Sequence, residues 1–374
     1  MIGALILVLA AVSLGLSLWT WRRDMPLCWE FAPVEPVDPG GAPFFETVLD
    51  HAAEAGQAHS PSILVTETGF SVLWFEGSAE AQADVDLFAA DITPGPDGWR
   101  ASAPGRRVTR ADLGRVMEPQ QMVITLGNTI EDESRTGGLF ATVVSVGGWA
   151  MASVARVAMG PDGPVRARKL NLSPMLNRSA LVKSPMVAYA DASHGLPAYF
   201  EMGRMHGLWV RCDAAGRVRH TVRMDGPGLR PIQPMVVPLG PRAAVALLRD
   251  FDVNRGRLLV SRTIDGGQSW SAVTQTTLFN PSSPVAALAL DERRILMAAN
   301  DDEGAAQDLR LLLSDDGGNS WRAIHRLSGG QGALRYPMLR RLGGGQIALC
   351  YSHSTKGGVR AHVMNGAWIE ARDT

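Results

Sequence analysis

At 374 residues and 46% hydrophobic side chains, the chain carries enough apolar material for a large core. Its 36 basic and 37 acidic residues balance, so the positive excess typical of nucleic-acid binders is missing and no nucleic-acid partner is expected. The three cysteines, Cys28, Cys212 and Cys350, are too few and too scattered for a disulfide framework, and the eight histidines show no ligand spacing. Neither a metal site nor a cofactor is expected.

Met1–Trp21 contains no charged side chain and is dominated by leucine, isoleucine and valine. At about 1.5 Å per helical residue, this length just spans a bilayer's hydrocarbon layer. Trp19 and Trp21 suit the interface, and Arg22 and Arg23 follow at once. Residues 1–21 are therefore read as a single-pass transmembrane anchor or uncleaved signal. A cleaved signal peptide is the alternative, but no basic stretch precedes the apolar run and no small-x-small site follows it. The two arginines favour a cytoplasmic downstream side, whereas long domains can cross regardless of charge.

Residues 22–45 are rich in proline and glycine and read as a stiff linker. The globular domain is placed at 46–374. Pro43–Ala55 is the best helical candidate within a chain otherwise patterned for strands. Short apolar or alternating runs, bounded by Gly, Pro, Asp and Asn, occur at Ser62–Thr66, Phe70–Phe75, Met122–Leu126, Leu139–Val146, Ala243–Leu248, Leu258–Thr263, Arg294–Ala299, Leu309–Ser314 and Gln346–Ser352.

Two segments repeat. LVSRTIDGGQSW ends at Trp270 and LLLSDDGGNSW ends at Trp321, 51 residues later. Each is a strand, then a turn in which Asp265 or Asp316 can accept bonds from turn amides, with glycines free to adopt positive φ. A degenerate copy, ADITPGPDGW, ends at Trp99, and Trp149, Trp209 and Trp368 continue the series at gaps of 47 to 61 residues. That spacing suits a four-stranded propeller blade. Over 329 residues it gives six blades of roughly 55 residues. The fold expected is all-β, a six-bladed β-propeller preceded by one transmembrane helix.

The paired turns match the Asp-box, S/T-x-D-x-G-x-x-W. From His59 to Val363 the chain resembles the BNR/Asp-box proteins of the sialidase-like superfamily, relatives of the bacterial exo-α-sialidases. The resemblance implies a glycoside hydrolase in which arginines clamp a sugar carboxylate, a tyrosine with an acidic partner is the nucleophile, and an acidic residue handles the leaving-group proton. An uncharged nucleophile avoids repulsion by the substrate's carboxylate, and arginine's planar fork suits that carboxylate.

Carried onto this chain, the resemblance places Tyr336 in RYPML as the nucleophile and Arg249 in VALLRD as a clamp arginine. It puts the acid/base residue in the loop holding Glu80 and Asp84. Gln233 falls where the tyrosine's glutamate partner belongs, and His59 where the first arginine belongs. Arg310 lies near the third arginine, whose own place is taken by Ala306. Arg178 and His362 match polar positions of the broader group.

The function implied is an exo-glycosidase for a terminal acidic sugar of the 2-keto-acid type, sialic acid or Kdo, in an envelope glycan such as lipopolysaccharide. The propeller would be periplasmic or otherwise extracytoplasmic. A non-catalytic glycan-binding or scaffolding propeller is the alternative, favoured by Gln233 and the missing third arginine. A purely structural assembly factor with no ligand is the third reading, and a membrane-protein partner is left open.

Overall fold

The computed structural model describes the chain except residues 1, 24–25, 173–177, 303–305, 331, 355–356 and 374. Helix α1 (Ile2–Arg23) contains one window, Ile2–Trp19, long and apolar enough to cross a membrane, and no residue of that window is buried. Everything after residue 44 builds a ring of six sheets among the described residues.

Strand β1 (Phe45–Ala52) stands apart from the first blade. That blade is β2 (Gln57–Thr66), β3 (Gly69–Gly77), β4 (Asp86–Gly95) and β5 (Gly98–Ala101), with β6 (Gly105–Val108) also on β4. After the short helix α2 (Arg110–Val116), blade two is β7 (Thr125–Asp132), β8 (Gly138–Val144), β9 (Ser153–Gly160) and β10 (Gly163–Lys169). Blade three comprises β11 (Ala180–Val182) and β12 (Val187–Ala188), both on β13 (His194–Phe200), then β14 (His206–Cys212) and β15 (Val218–Met224). Blade four is β16 (Pro231–Pro238), β17 (Ala244–Asp250), β18 (Arg257–Thr263) and β19 (Thr274–Phe279). Blade five is β20 (Ala286–Ala289), β21 (Ile295–Ala299), β22 (Asp308–Ser314) and β23 (Arg322–Ser328). The last is β24 (Leu334–Arg341), β25 (Gln346–His353) and β26 (Gly358–Asn365), whose outer partner is β1 in antiparallel register, Phe45 opposite Met364.

The expected helix over Pro43–Ala55 is thus a strand. Its pattern, FETVLDHA, leaves Val48 and Leu49 buried, and the bare edge of β26 offers a ladder that outweighs weak local helix propensity. All three cysteines are free.

Residues 26–44 lie along the ring as a strap. Phe31 is 2% exposed against Tyr189 and Trp209, and its N–H donates to Pro241 at 2.7 Å. Farther on, the Val37 N–H donates to the Leu290 carbonyl at 2.8 Å, and the Ala367 N–H donates to Pro39 at 2.7 Å. The strap therefore crosses blades three, four, five and six in turn.

Both Asp-box turns form the same net. Asp265 accepts from the Thr263 hydroxyl (2.7 Å) and the Ser269 N–H (3.0 Å); Asp316 accepts from the Ser314 hydroxyl (2.8 Å) and the Ser320 N–H (2.9 Å). The tryptophan series is less uniform than its spacing. Trp270 and Trp321 sit at the boxes, but Trp149 lies in the loop after β8, Trp209 on β14 and Trp368 in the terminal helix α3 (Gly366–Glu370).

The Ser320 hydroxyl and amide hold the Asp316 carboxyl well below the usual carboxylate range. A depressed folded pKa contributes stability above the unfolded value, about 3.9, which is lost as pH falls further toward the folded value. Asp316→Asn is expected to lower the urea midpoint at pH 7 and to flatten its fall below pH 4. An unchanged acid limb would contradict this assignment.

Candidate active site

The innermost strands β2, β7, β11, β16, β20 and β24 surround the axis and run the same way along it. Near their starts, β2, β7, β16 and β24 each carry a β-bulge: between His59 and Ser62, Leu126 and Thr129, Ile232 and Met235, and Arg335 and Met338. At this level five of the six blades hold a non-glycine residue in left-handed backbone: Ser60, Ser179, Gln233, Ser282 and Tyr336, with φ between 49° and 59°. Such a conformation costs on the order of 1–3 kcal/mol per residue and clusters at functional sites, where a bulge re-aims a side chain. Pro61, Pro234 and Pro337 follow three of them. A residue without an N–H suits the place a bulge leaves unpaired.

The re-aimed side chains converge. Arg249, near the end of β17, donates from Nη1 to Gln233 Oε1 (3.2 Å) and from Nε to Ser282 Oγ (3.0 Å). Gln233, 3% exposed, donates from Nε2 to the Tyr199 hydroxyl at 3.3 Å. Tyr336 is half-buried beside Gln233 and Arg249, and the His59 ring meets it edge-on at 4.6 Å. Ser60 Oγ donates to Asn128 Oδ1. Of these, Asn128, Tyr199, Gln233, Arg249 and Tyr336 border a cavity of about 50 Å³ whose rim includes Glu80, Trp149 and Glu201.

Burial raises the Tyr336 phenol above its ordinary value; Arg249 opposes this and Glu80 adds to it, so at neutral pH the phenol keeps its proton. Burial likewise raises the Glu201 and Glu80 carboxyls, with Arg249 opposing in both. Burial and then Arg249 lower Arg335, which also lies beside Tyr336 and His59. The site therefore gathers two guanidiniums, and Arg249's own hydrogen bonds run to neutral oxygens.

The sequence-derived residues divide. His59, Glu80, Gln233, Arg249 and Tyr336 are brought together. Asp84 is not: it is exposed and clasps its own loop, accepting from the Ser78 N–H and hydroxyl at 3.0 Å each, and those bonds lower its carboxyl. Arg310 pairs with Asp301 at 3.2 Å, and Arg178 lies 3.8 Å from the Met151 sulfur; neither borders the cavity. Ala306 is fully buried, its carbonyl accepting from the Leu334 N–H. His362 sits in the outer half of the last blade between Thr47 and Tyr351, its pKa pushed down to about 3 by burial.

Arg335, Glu201, Tyr199, Trp149 and Ser282 were missed. A signal for Arg335 was available: HSP at 59–61, IQP at 232–234 and RYP at 335–337 are one recurring bulge, so His59 and Arg335 occupy equivalent places.

A wider cavity, about 380 Å³, lies at the other end of the same strands under the strap. Its arginines are already engaged: Arg340 pairs with Glu131 and Glu133, and Arg341 donates to the Glu35 and Ala289 carbonyls. At the smaller cavity, by contrast, Arg249 hydrogen-bonds the neutral oxygens of Gln233 and Ser282.

Residues 69–349 match the BNR repeat-like domain. No curated protein matches the sequence. Among solved structures, the chain is similar to the Hadza microbial sialidase Hz136 (16% identity, TM-score 0.62, 83% of this chain and 66% of that one). It also resembles a protein of unknown function from Dyadobacter fermentans (13%, TM-score 0.63, 86% and 98%) and the NanB sialidase of Streptococcus pneumoniae (8%, TM-score 0.60, 88% and 71%). The chain thus spans about two thirds of the length of the Hadza enzyme.

His59 is held to a pKa of about 4, by burial first and Arg335 second. A lowered histidine is neutral in the fold while its unfolded counterpart, near 6.5, takes up a proton, so stability falls as pH drops from about 6.5 toward 4. An NMR titration of the His59 ring should show a midpoint near 4; a midpoint near 6.5 would remove it from this environment.

Proposed function

Because the chain belongs to the BNR repeat-like family and has the sialidase-like propeller fold, we propose that it is a glycoside hydrolase releasing a terminal acidic sugar of the 2-keto-acid type, such as sialic acid or Kdo, from an envelope glycan. The observation that carries this reading is Arg249, held by Gln233 and Ser282 beside Tyr336 with, among the described residues, no carboxylate hydrogen-bonded to it. In this reading Arg249 and Arg335 receive the sugar carboxylate. The small cavity bordered by Arg249 and Tyr336 suits that end of a ligand while the ring rests at the mouth.

Tyr336 is then the nucleophile. Its oxygen bonds to the anomeric carbon as the phenol proton passes to a carboxylate, and the departing glycosidic oxygen takes a proton from a second acid. Gln233 cannot accept a proton, so these tasks fall to Glu201 and Glu80, whose carboxyls burial raises and Arg249 lowers, and which both border the cavity. Water reverses the step and frees the sugar. The membrane-anchored chain would work outside the cytoplasm.

Gln233 favours a second reading, a glycan-binding propeller without turnover, in which the same arginines serve recognition alone.

The purified full chain is to be tested on 4-methylumbelliferyl and natural glycosides of sialic acid, Kdo and uronic acids. One acidic sugar is expected to be released. Tyr336→Phe is expected to lower kcat by about 10³-fold or more with KM little changed, because the phenol acts only in the chemical step. Binding of these glycans with no release, unchanged in Tyr336→Phe, would establish the second reading. Arg249→Lys is expected to lower kcat/KM by at least about 10²-fold, since an ammonium cannot reproduce the planar fork. A tenfold effect or less would remove Arg249 from the carboxylate clamp.

A further inference from the structure

We propose that the strap fixes the propeller on its anchor with the site facing away from the bilayer, so that the protein acts on acidic sugars of soluble or long-chain glycans and spares those on short glycolipids of its own membrane. The substrate half of this proposal rests on the glycosidase reading; the orientation half does not.

Strap and site occupy opposite ends of the ring. On β13, Glu201 follows one end and His194 begins the other. Buried Arg211 joins the His194 carbonyl (2.8 Å) to the Cys28 carbonyl (2.7 Å) and sits over the Tyr189 ring, 3.3 Å from its centre. The Cys28 N–H donates to Asp191 at 3.1 Å. The ring is shaped for the strap: a Cβ at Gly266 would stand 1.8 Å from the Trp29 carbonyl oxygen, and one at Gly345 2.2 Å from that of Asp38.

The tether is short. Helix α1 ends at Arg23, and its 22 residues, at about 1.5 Å each, match the hydrocarbon thickness and leave that end at the interface. From Arg23 to docked Cys28 the chain reaches at most roughly 18 Å, at about 3.6 Å per residue. From His194 to Glu201 the strand rises roughly 23 Å, at about 3.3 Å per residue. Turning the site onto the bilayer would need Cys28 lifted farther than the tether allows. With the strap face down, the mouth stands roughly 20–40 Å above the interface, beyond a short headgroup.

Two arms test this on the full chain in lipid vesicles. In a Cys28→Ser background, Val253→Cys and Ile264→Cys place a fluorophore at either end of β18; both residues are exposed, 69% and 86%. Energy transfer to a headgroup-labelled lipid is expected to be strong from position 264 and weak from 253. Equal or reversed transfer, or failure of the chain to enter vesicles, would overturn the orientation. In the second arm the same acidic sugar is offered on a soluble oligosaccharide and on a short glycolipid in the same vesicle. Cleavage of the first and sparing of the second is expected, and a 20-residue Gly/Ser insertion between Asp24 and Met25 should restore the second. Equal cleavage of both by the unmodified chain would overturn the substrate claim. No cleavage anywhere would sink the glycosidase reading while leaving the orientation to the fluorescence result.

Discussion

Strand β1 belongs to the sheet of the last blade, and its ladder with β26 holds the two ends of the ring together. The site depends on that closure because none of it is local. Ser60 and Tyr336 stand near opposite ends of the sequence, yet the Ser60 N–H donates to Ser352 beside Tyr336's strand, and the His59 ring packs on Tyr336. Remove β1 and β26 becomes an open edge, while the first and last blades lose the register that aims both bulges at one point. The left-handed residues are tolerable for the same reason. Five strained positions persist only where a closed ring of neighbours over-determines them.

The two ends of the axis treat charge differently. Under the strap, Arg340 meets two glutamates and Arg341 two carbonyls, an arrangement that holds the ring and strap together. At the site, Arg249 raises the electrostatic cost of Arg335, and Glu80 and Glu201, themselves biased toward the protonated form, lie near Arg249. An incoming anion gains there what it would not gain at the other end.

Fold was legible because its signals are local. The Asp-boxes need only one turn's chemistry, a carboxylate over amides and glycines at positive φ, and that chemistry stands in eight residues of sequence. Tyr336, Arg249, Gln233, His59 and Glu80 were legible through a family pattern. Asp84 lies away from the other site residues because a loop acid has two uses, and Ser78 engages it in turn bonding. Glu201 and Tyr199 escaped because an ordinary strand end gives no sign that it borders the axis. The linker was read from composition alone: proline and glycine make a stiff spacer in isolation, but Phe31 and Trp29 among them are what a strap buries.

Gln233 carries the chemical argument furthest. A glutamate there would sit 3.2 Å from a guanidinium nitrogen of Arg249 and neutralise it. The amide still fixes the arginine's orientation through Oε1 and ties it to Tyr199 through Nε2, but leaves the positive charge for a ligand. What the site loses is a base next to the phenol. The carboxylates that remain, Glu80 and Glu201, stand across the cavity on loops of different blades, where they can reach a substrate or a water more readily than they can replace a side chain at position 233. If the site works as proposed, Gln233 favours anion capture over a base beside the phenol, and proton transfer would fall to Glu80 and Glu201 at the rim.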